Sequence, residues 1–148
     1  YWKKDYLLSN LSYERIPKFI TTNLFDNKLL LNNDDIKGKI TLINFFASWC
    51  LPCKTEHTLL MDLKNNYPEL TILGIDHKDK KEDAVKFLSD NGNPYSFVGV
   101  DSDGMIGLKF GVFGLPETFL TNNQGKIIYK HIGPLTNKVI QKEILPNL

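Results

Sequence analysis

Ile40-Thr41-Leu42-Ile43-Asn44-Phe45-Phe46-Ala47-Ser48-Trp49-Cys50-Leu51-Pro52-Cys53 is the stretch on which the fold turns. Its first seven residues form a nearly continuous apolar run of strand length, interrupted only by Thr41 and Asn44. A run buried on both faces is what a central strand of a parallel sheet requires. The run is too short for a membrane helix, which needs roughly 18 apolar residues. The residues after it read as a helix from Leu51 to Asn66, stopped by Tyr67-Pro68. Pro52 falls in the first turn, where its missing N–H costs no hydrogen bond. Cys53, Glu56, Leu60, Leu63 and Tyr67 recur at helical spacing, so Cys53 begins the inward stripe. Both cysteines of the chain therefore sit where a buried strand gives way to a helix.

Outward from this junction the pattern alternates. Pro17 to Leu31 reads as a lead-in hairpin with its turn at Asp26-Asn27. Leu70 to Asp76 is a second apolar strand, and Lys80 to Asn91 a helix with Ala84, Val85 and Leu88 on one face and Gly92 at its end. Ser96 to Val100 is a short strand, and Asp103 to Phe110 a brief helical turn. Thr118 to Thr121 and Lys126 to Ile132 are strands around Asn122-Asn123-Gln124-Gly125. A last helix opens at Thr136, with Leu135 and Ile140 spaced as a hydrophobic staple. Strands alternating with helices, then a hairpin and a final helix, predict a three-layer α/β domain.

Composition agrees. The chain has 148 residues, 42% hydrophobic and 24% charged, with a net charge of +1. That length suits one domain with a sizeable core. Basic and acidic residues number 18 and 17, a balance with no field to draw nucleic acid. No repeat or low-complexity segment interrupts it. Two cysteines are too few for a disulfide framework.

The chemistry of the pair follows from its position. Free N–H groups and the positive end of the helix dipole favour a thiolate at Cys50. That makes Cys50 the exposed nucleophile, and Cys53, one turn further in, the buried resolving thiol able to close a disulfide with it. Three other readings stay open: half of a zinc site with His57 as a third ligand, two inert core cysteines, or a fixed structural bridge. A zinc site needs four ligands, and only His57, His77 and His131 are on offer. A bridge across two residues removes little chain entropy. The second feature is Gly111-Val112-Phe113-Gly114-Leu115-Pro116-Glu117-Thr118-Phe119, where Pro116 before an apolar strand is a candidate cis proline. A cis bond there would leave the Leu115 backbone facing the cysteines, free to pair with an extended client. Trp49, Tyr95 and Phe113 read as packing residues, with Trp49 also able to shape a docking surface. The three histidines read as surface or hydrogen-bonding residues.

The order strand, Trp-Cys-x-x-Cys, helix, strand, helix and Pro-Glu-Thr-Phe strand resembles the thioredoxin superfamily. Within it the chain is similar to the CcmG/DsbE family of membrane-anchored thioredoxins of cytochrome c maturation. The resemblance is carried by Cys50-Leu51-Pro52-Cys53-Lys54-Thr55-Glu56-His57, Gly92-Asn93-Pro94-Tyr95, Asp103-Gly104-Met105-Ile106-Gly107-Leu108, Gly111 to Leu120 and Tyr129-Lys130-His131-Ile132-Gly133. It implies a thioredoxin fold, three-layer α/β/α around a central mixed sheet, with an N-terminal hairpin extension and a helix–strand insertion. Residues 16–148 would be the thioredoxin-like domain and 1–15 a segment following a membrane anchor. Tyr1-Trp2-Lys3-Lys4 has the aromatic and lysine composition of a membrane interface, although those four residues alone also suit an ordinary chain end.

The resemblance further implies a thiol:disulfide reductant in the periplasm, tethered to the inner membrane. Its clients would be apocytochrome c or a maturation partner, and its electron donor a membrane thiol carrier of CcdA/DsbD type. The only redox centre would be the Cys50–Cys53 disulfide, with no cofactor or metal. Two departures stand out. Thioredoxins carry a buried aspartate six residues before the first cysteine, where this chain has Asn44. In the CcmG group acidic residues stand nearby instead, at positions that map onto Glu56 and Glu117. As like charges they would oppose the thiolate and keep the pair reducing. Leu51-Pro52 is not the dipeptide of the oxidant DsbA. The alternatives are a general TlpA/ResA-like periplasmic reductase and a non-catalytic copper- or zinc-delivery module using Cys50, Cys53 and a histidine.

Overall fold

The computed structural model describes residues 14–148. Tyr1-Trp2-Lys3-Lys4, and with it most of the expected 1–15 segment, lies outside the described residues. The lead-in hairpin is present as β1 (Ile20–Thr22) and β2 (Leu30–Asn32), paired antiparallel. It is laced to the main sheet by Leu24 N–H donating to the Val98 carbonyl at 2.9 Å. Gly99 permits that approach, because a Cβ there would meet Thr21 Cγ2 at 2.7 Å.

The apolar run forms β3 (Thr41–Phe46), buried along its whole length. It is followed by α1 (Leu51–Asn66), β4 (Thr71–His77), α2 (Lys81–Asn91) and β5 (Phe97–Asp101). Next come α3 (Met105–Phe110), β6 (Glu117–Thr121) and β7 (Ile127–Ile132). The five-stranded sheet has the order β5-β4-β3-β6-β7. Strands β3, β4 and β5 run parallel, and β6 and β7 are antiparallel. This is the expected mixed sheet, and α2 with β5 is the expected helix–strand element.

Period-two alternation divides β3 between two cores. Leu42 and Phe46 face Cys53, Leu60 and Leu63 of α1 together with Ala84, Phe87 and Leu88 of α2. Ile43 and Phe45 face the other side, toward Phe110 of α3 and Phe119 of β6. Phe45 meets Phe110 edge-on at 5.2 Å, the kind of pair that contributes about 0.5–1.5 kcal/mol beyond its burial.

Two local expectations are corrected, and the last helix opens where expected but changes geometry along its length. Tyr67 leaves the inward stripe of α1 and is 40% exposed, because it is the C-cap, with φ −132° and ψ 69° outside the helical region. Phe87, not Val85, completes the buried face of α2 with Ala84 and Leu88, at i, i+3 and i+4. The last helix, α4, begins at its Thr136 cap as an α-turn over Asn137–Val139 but widens to π geometry over Ile140–Ile144. It closes as a 3-10 turn at Leu145–Asn147, where Pro146 has no N–H to continue the ladder.

Candidate active site at the carboxyl ends of the central strands

Parallel strands β3 and β4 end at the amino terminus of α1, the place where open α/β sheets hold their sites. Cys50 is the N-cap of α1, and its Sγ accepts from Cys53 N–H at 3.2 Å. The two cysteines are joined in a disulfide. Cys50 is 4% exposed and Cys53 2%. The expected contrast between an exposed and a buried sulfur is therefore absent in this oxidised state; position on the helix, not exposure, distinguishes them. Pro52 is exposed in the first turn.

The residues before the pair are pinned from a loop that the sequence did not single out. Asp79 accepts from Ser48 N–H at 2.8 Å and from Ser48 Oγ at 2.7 Å. Trp49 is 60% exposed and donates its indole N–H to the Lys78 carbonyl at 2.9 Å. Lys78 takes a positive φ of 48°, with its N–H held by the Asp101 carbonyl at 2.9 Å. Trp49 thus packs little and stands as one wall of an open groove of about 450 Å³. Met105, Leu108, Phe113 and Leu115 line it as well. The expected packing role of Phe113 is corrected, since the side chain is 89% exposed at a loop tip. The Leu115–Pro116 peptide is cis, as the sequence suggested. Pro116 is buried, and half-buried Leu115 packs against both cores.

Both expected carboxylates are buried, and their surroundings separate them. Glu117 Oε2 accepts from Phe113 N–H at 3.1 Å and Gly114 N–H at 3.3 Å, clamping the loop before Pro116. Its Oε1 lies 3.3 Å from Lys130 Nζ, an ion contact without hydrogen-bond alignment. A carboxylate compensated in this way is a poor source of repulsion toward a thiolate. Among the described residues Glu56 forms no ion pair. Its Oε2 accepts from Asn44 Nδ2 at 2.8 Å and its Oε1 from Leu135 N–H at 2.9 Å. Burial raises its pKa from 4.5 to about 7, against the pull of those two donors. Tyr95, read from sequence as packing, donates its hydroxyl to Asn44 Oδ1 at 2.7 Å.

A further acid lies on the same sheet face. Asp76 pairs with Phe46 in register and is 1% exposed, and among the described residues its Oδ1 has no hydrogen-bond partner. Burial, and then the hydrogen bond and charge of Asp79, push its pKa from 3.8 to about 9. A raised carboxyl pKa contributes stability that is complete below pH 3.8 and is lost as the pH climbs through 9. Asp76→Asn keeps a donor for Asp79 and removes the ionisation. It is expected to stabilise the protein by roughly 2 kcal/mol or more at pH 7, with the gain growing toward pH 9. Urea unfolding at pH 4, 7 and 9 measures it, and a gain independent of pH would contradict this assignment.

Among the described residues no group of three or more His, Cys, Asp or Glu side chains could hold a metal ion. His57 is buried and committed to the Gly92 carbonyl at 2.7 Å, which takes it away from the cysteines. His77 pairs with Asp101 at 2.8 Å, and His131 contacts Tyr129 and the Pro134 carbonyl.

A thioredoxin-fold protein with one redox-type cysteine pair at a helix start and a cis proline before β6 is the class that this fold and site define. The sequence pattern of the Redoxin family matches residues 12–145. The chain is 43% identical over 116 residues to the thiol:disulfide interchange protein CycY of Rhizobium leguminosarum bv. viciae, covering 78% of this chain and 62% of that protein. It is 41% identical over 140 residues to the thiol:disulfide interchange protein DsbE of Pasteurella multocida, covering 95% and 76%. A crystal structure titled as a DsbE-type protein of Chlorobium tepidum superposes with a TM-score of 0.81 at 24% identity, covering 92% and 96%. The chain belongs to the Redoxin family, within its group of DsbE-type thiol:disulfide interchange proteins. It spans somewhat under two thirds of the length of CycY.

Proposed function

We propose that this chain is a thiol:disulfide reductant that works through Cys50 and Cys53. The observation that carries the reading is the pair itself, placed at the amino end of a 16-residue helix, with Trp49 next to it and Leu115 lining one groove. In the reduced protein, the Cys50 thiolate attacks one sulfur of a client disulfide. It forms an intermolecular S–S bond and expels the other client sulfur as a thiolate. Cys53, once deprotonated, attacks Cys50 Sγ, closes the Cys50–Cys53 bond and releases the second client thiolate. Two electrons pass from the pair to the client, and the two client thiolates take up two protons. No cofactor beyond the cysteine pair is needed.

Trp49, Leu115 and the exposed apolar wall around them would seat an extended client. Pro52 and Pro116 fix the two backbones between which the disulfides exchange, and Glu117 holds the proline loop in place through the Phe113 and Gly114 N–H groups. Glu56, buried one turn behind Cys53, is the carboxyl that opposes a thiolate when it ionises. The resemblance to cytochrome-maturation proteins supports apocytochrome c, or a partner in that pathway, as the client. It equally supports a CcdA/DsbD-type carrier as electron donor and a periplasmic domain of residues 16–148. Residues 1–15 would lead from an inner-membrane anchor.

The test is the rate at which the reduced protein reduces an oxidised Cys-x-x-Cys-His peptide, the haem-attachment pattern, against one without that pattern. A preference of tenfold or more is expected. Equal rates would favour a general TlpA/ResA-like reductase. No reduction, with tight Cu(I) or Zn(II) binding, would favour a metal-delivery module.

A further inference from the structure

We propose that Tyr95 is a positioning residue of the redox site, whose hydroxyl fixes the side-chain amide of Asn44 and, through it, the buried carboxyl of Glu56. The proposal deepens the reductant reading and rests on it for its consequence in exchange, but not for its structural content.

Four hydrogen bonds make a directed chain. Tyr95 Oη donates to Asn44 Oδ1 at 2.7 Å. Asn44 Nδ2 donates to Glu56 Oε2 at 2.8 Å and to Thr118 Oγ1 at 3.0 Å. Leu135 N–H closes the chain on Glu56 Oε1 at 2.9 Å. Three of these bonds lead to the carboxyl, and the fourth ties the Asn44 amide to Thr118. A donor on an amide oxygen polarises the amide and strengthens its own N–H as a donor, so each bond supports the next. All members are buried, and Tyr95 is 6% exposed. An unpaired polar group here would be buried without compensation, which holds the arrangement to one orientation.

The sequence builds a slot for this ring. Asn44 pairs in register with Gly74 on β4. A Cβ at Gly74 would lie 2.8 Å from Tyr95 Cγ and Cδ1, so its absence lets the ring sit beside Asn44. The ring stacks on Phe46 at 4.8 Å and 22°, which a phenylalanine would do equally well. Packing therefore accounts for the ring but not for the hydroxyl. Among the described residues the hydroxyl has one partner, Asn44.

The titratable groups around the chain are few. Glu56, Cys53 and His57 face it from α1, and His57 is occupied by the Gly92 carbonyl. Asp76 approaches Tyr95 from β4. Asn44 and Thr118, on β3 and β6, and Phe87 on α2 are uncharged. Glu56 is the group in direct contact with Asn44, so the loss of the Tyr95 hydroxyl is read first in its titration.

Tyr95→Phe keeps the ring and removes the donor. Carboxyl carbon NMR of the oxidised protein follows Glu56 directly, without reference to any reductase activity. The expected result is an upward shift of the Glu56 titration by roughly half a pH unit, since a weaker Asn44 N–H stabilises the carboxylate less. The pH profile of exchange with a small disulfide should move the same way in Tyr95→Phe, and should not move when the change is made in a Glu56→Gln background. Site-specific 3-fluorotyrosine at position 95, a stronger donor of almost the same shape, should shift the Glu56 titration downward and guards against a folding defect in the phenylalanine variant. An unchanged Glu56 titration in both variants, or an equal profile shift in the Glu56→Gln background, would overturn the proposal. Absence of reductase activity in the parent protein would instead overturn the functional reading and leave the NMR result standing.

Discussion

Cys53→Ser is expected to accumulate a mixed disulfide between Cys50 and an oxidised client peptide, whereas Cys50→Ser accumulates none. The two cysteine residues are almost equally buried in the oxidised protein, at 4% and 2% exposure, so residue burial does not assign their roles. Backbone position can. Cys50 Sγ is the cap of α1 and already accepts the Cys53 N–H, a bond that favours a negative sulfur. The helix dipole adds to that preference at Cys50 and is weaker for a side chain one turn inside. With Cys53 absent the intermolecular bond has no internal thiol to resolve it, and turnover should fall by about 10³-fold or more. Non-reducing electrophoresis with mass mapping reads the adduct. An adduct formed on Cys53 in Cys50→Ser, with none on Cys50 in Cys53→Ser, would reverse the assignment.

Lys130→Met is expected to destabilise the protein by about 3–5 kcal/mol, the usual cost of stranding one partner of a buried ion pair. The side chains of Lys130 and Glu117 are 9% and 4% exposed, and their polar atoms lie 3.3 Å apart. The Lys86–Asp90 pair on α2 provides the contrast. It is closer, at 2.7 Å, but its side chains are 75% and 55% exposed, so Lys86→Met should leave stability almost unchanged. Urea unfolding of both variants measures the difference. Adding Glu117→Gln to Lys130→Met should recover much of the loss, because the stranded charge is then gone. Additive losses would show that Lys130 acts through packing over Phe119, whose ring centre lies 5.2 Å from its ammonium.

The central strand and the helix behind it are legible because each obeys one dominant rule. β3 is apolar on both faces, and α1 begins at a proline-bearing first turn and ends before Tyr67-Pro68, so local pattern sets their limits. The cis bond at Pro116 was legible only as a candidate, its loop and following strand gaining weight from the cysteine motif some sixty residues upstream. Glu117 and Lys130 show where such reading stops. Their contact crosses β6 and β7, where Phe119, two residues from Glu117, is the register partner of Lys130. No spacing along the chain announces that diagonal, so the compensated charge of Glu117 needed the sheet. Asp79 and Ser48 meet across two loop ends, 31 positions apart, for the same reason. Tyr95 was visible as a residue but not as a donor, because its use depends on the missing Cβ at Gly74 and on the register of β3 with β4. The burial of Cys50 was missed because helix position predicts chemical character, while exposure depends on what packs over the end of the helix.

The equilibrium potential of the Cys50–Cys53 pair, measured against a glutathione or dithiothreitol series, tests the reductant reading most directly. An ionisable Glu56 one helical turn behind Cys53, and a cysteine dipeptide unlike that of a strong oxidant, both favour a reducing pair. The predicted midpoint is more negative than roughly −180 mV, the value typical of protein disulfide isomerase. A midpoint less negative than that, toward the roughly −120 mV of a strong oxidant, would mean that the pair donates disulfides and would contradict the account.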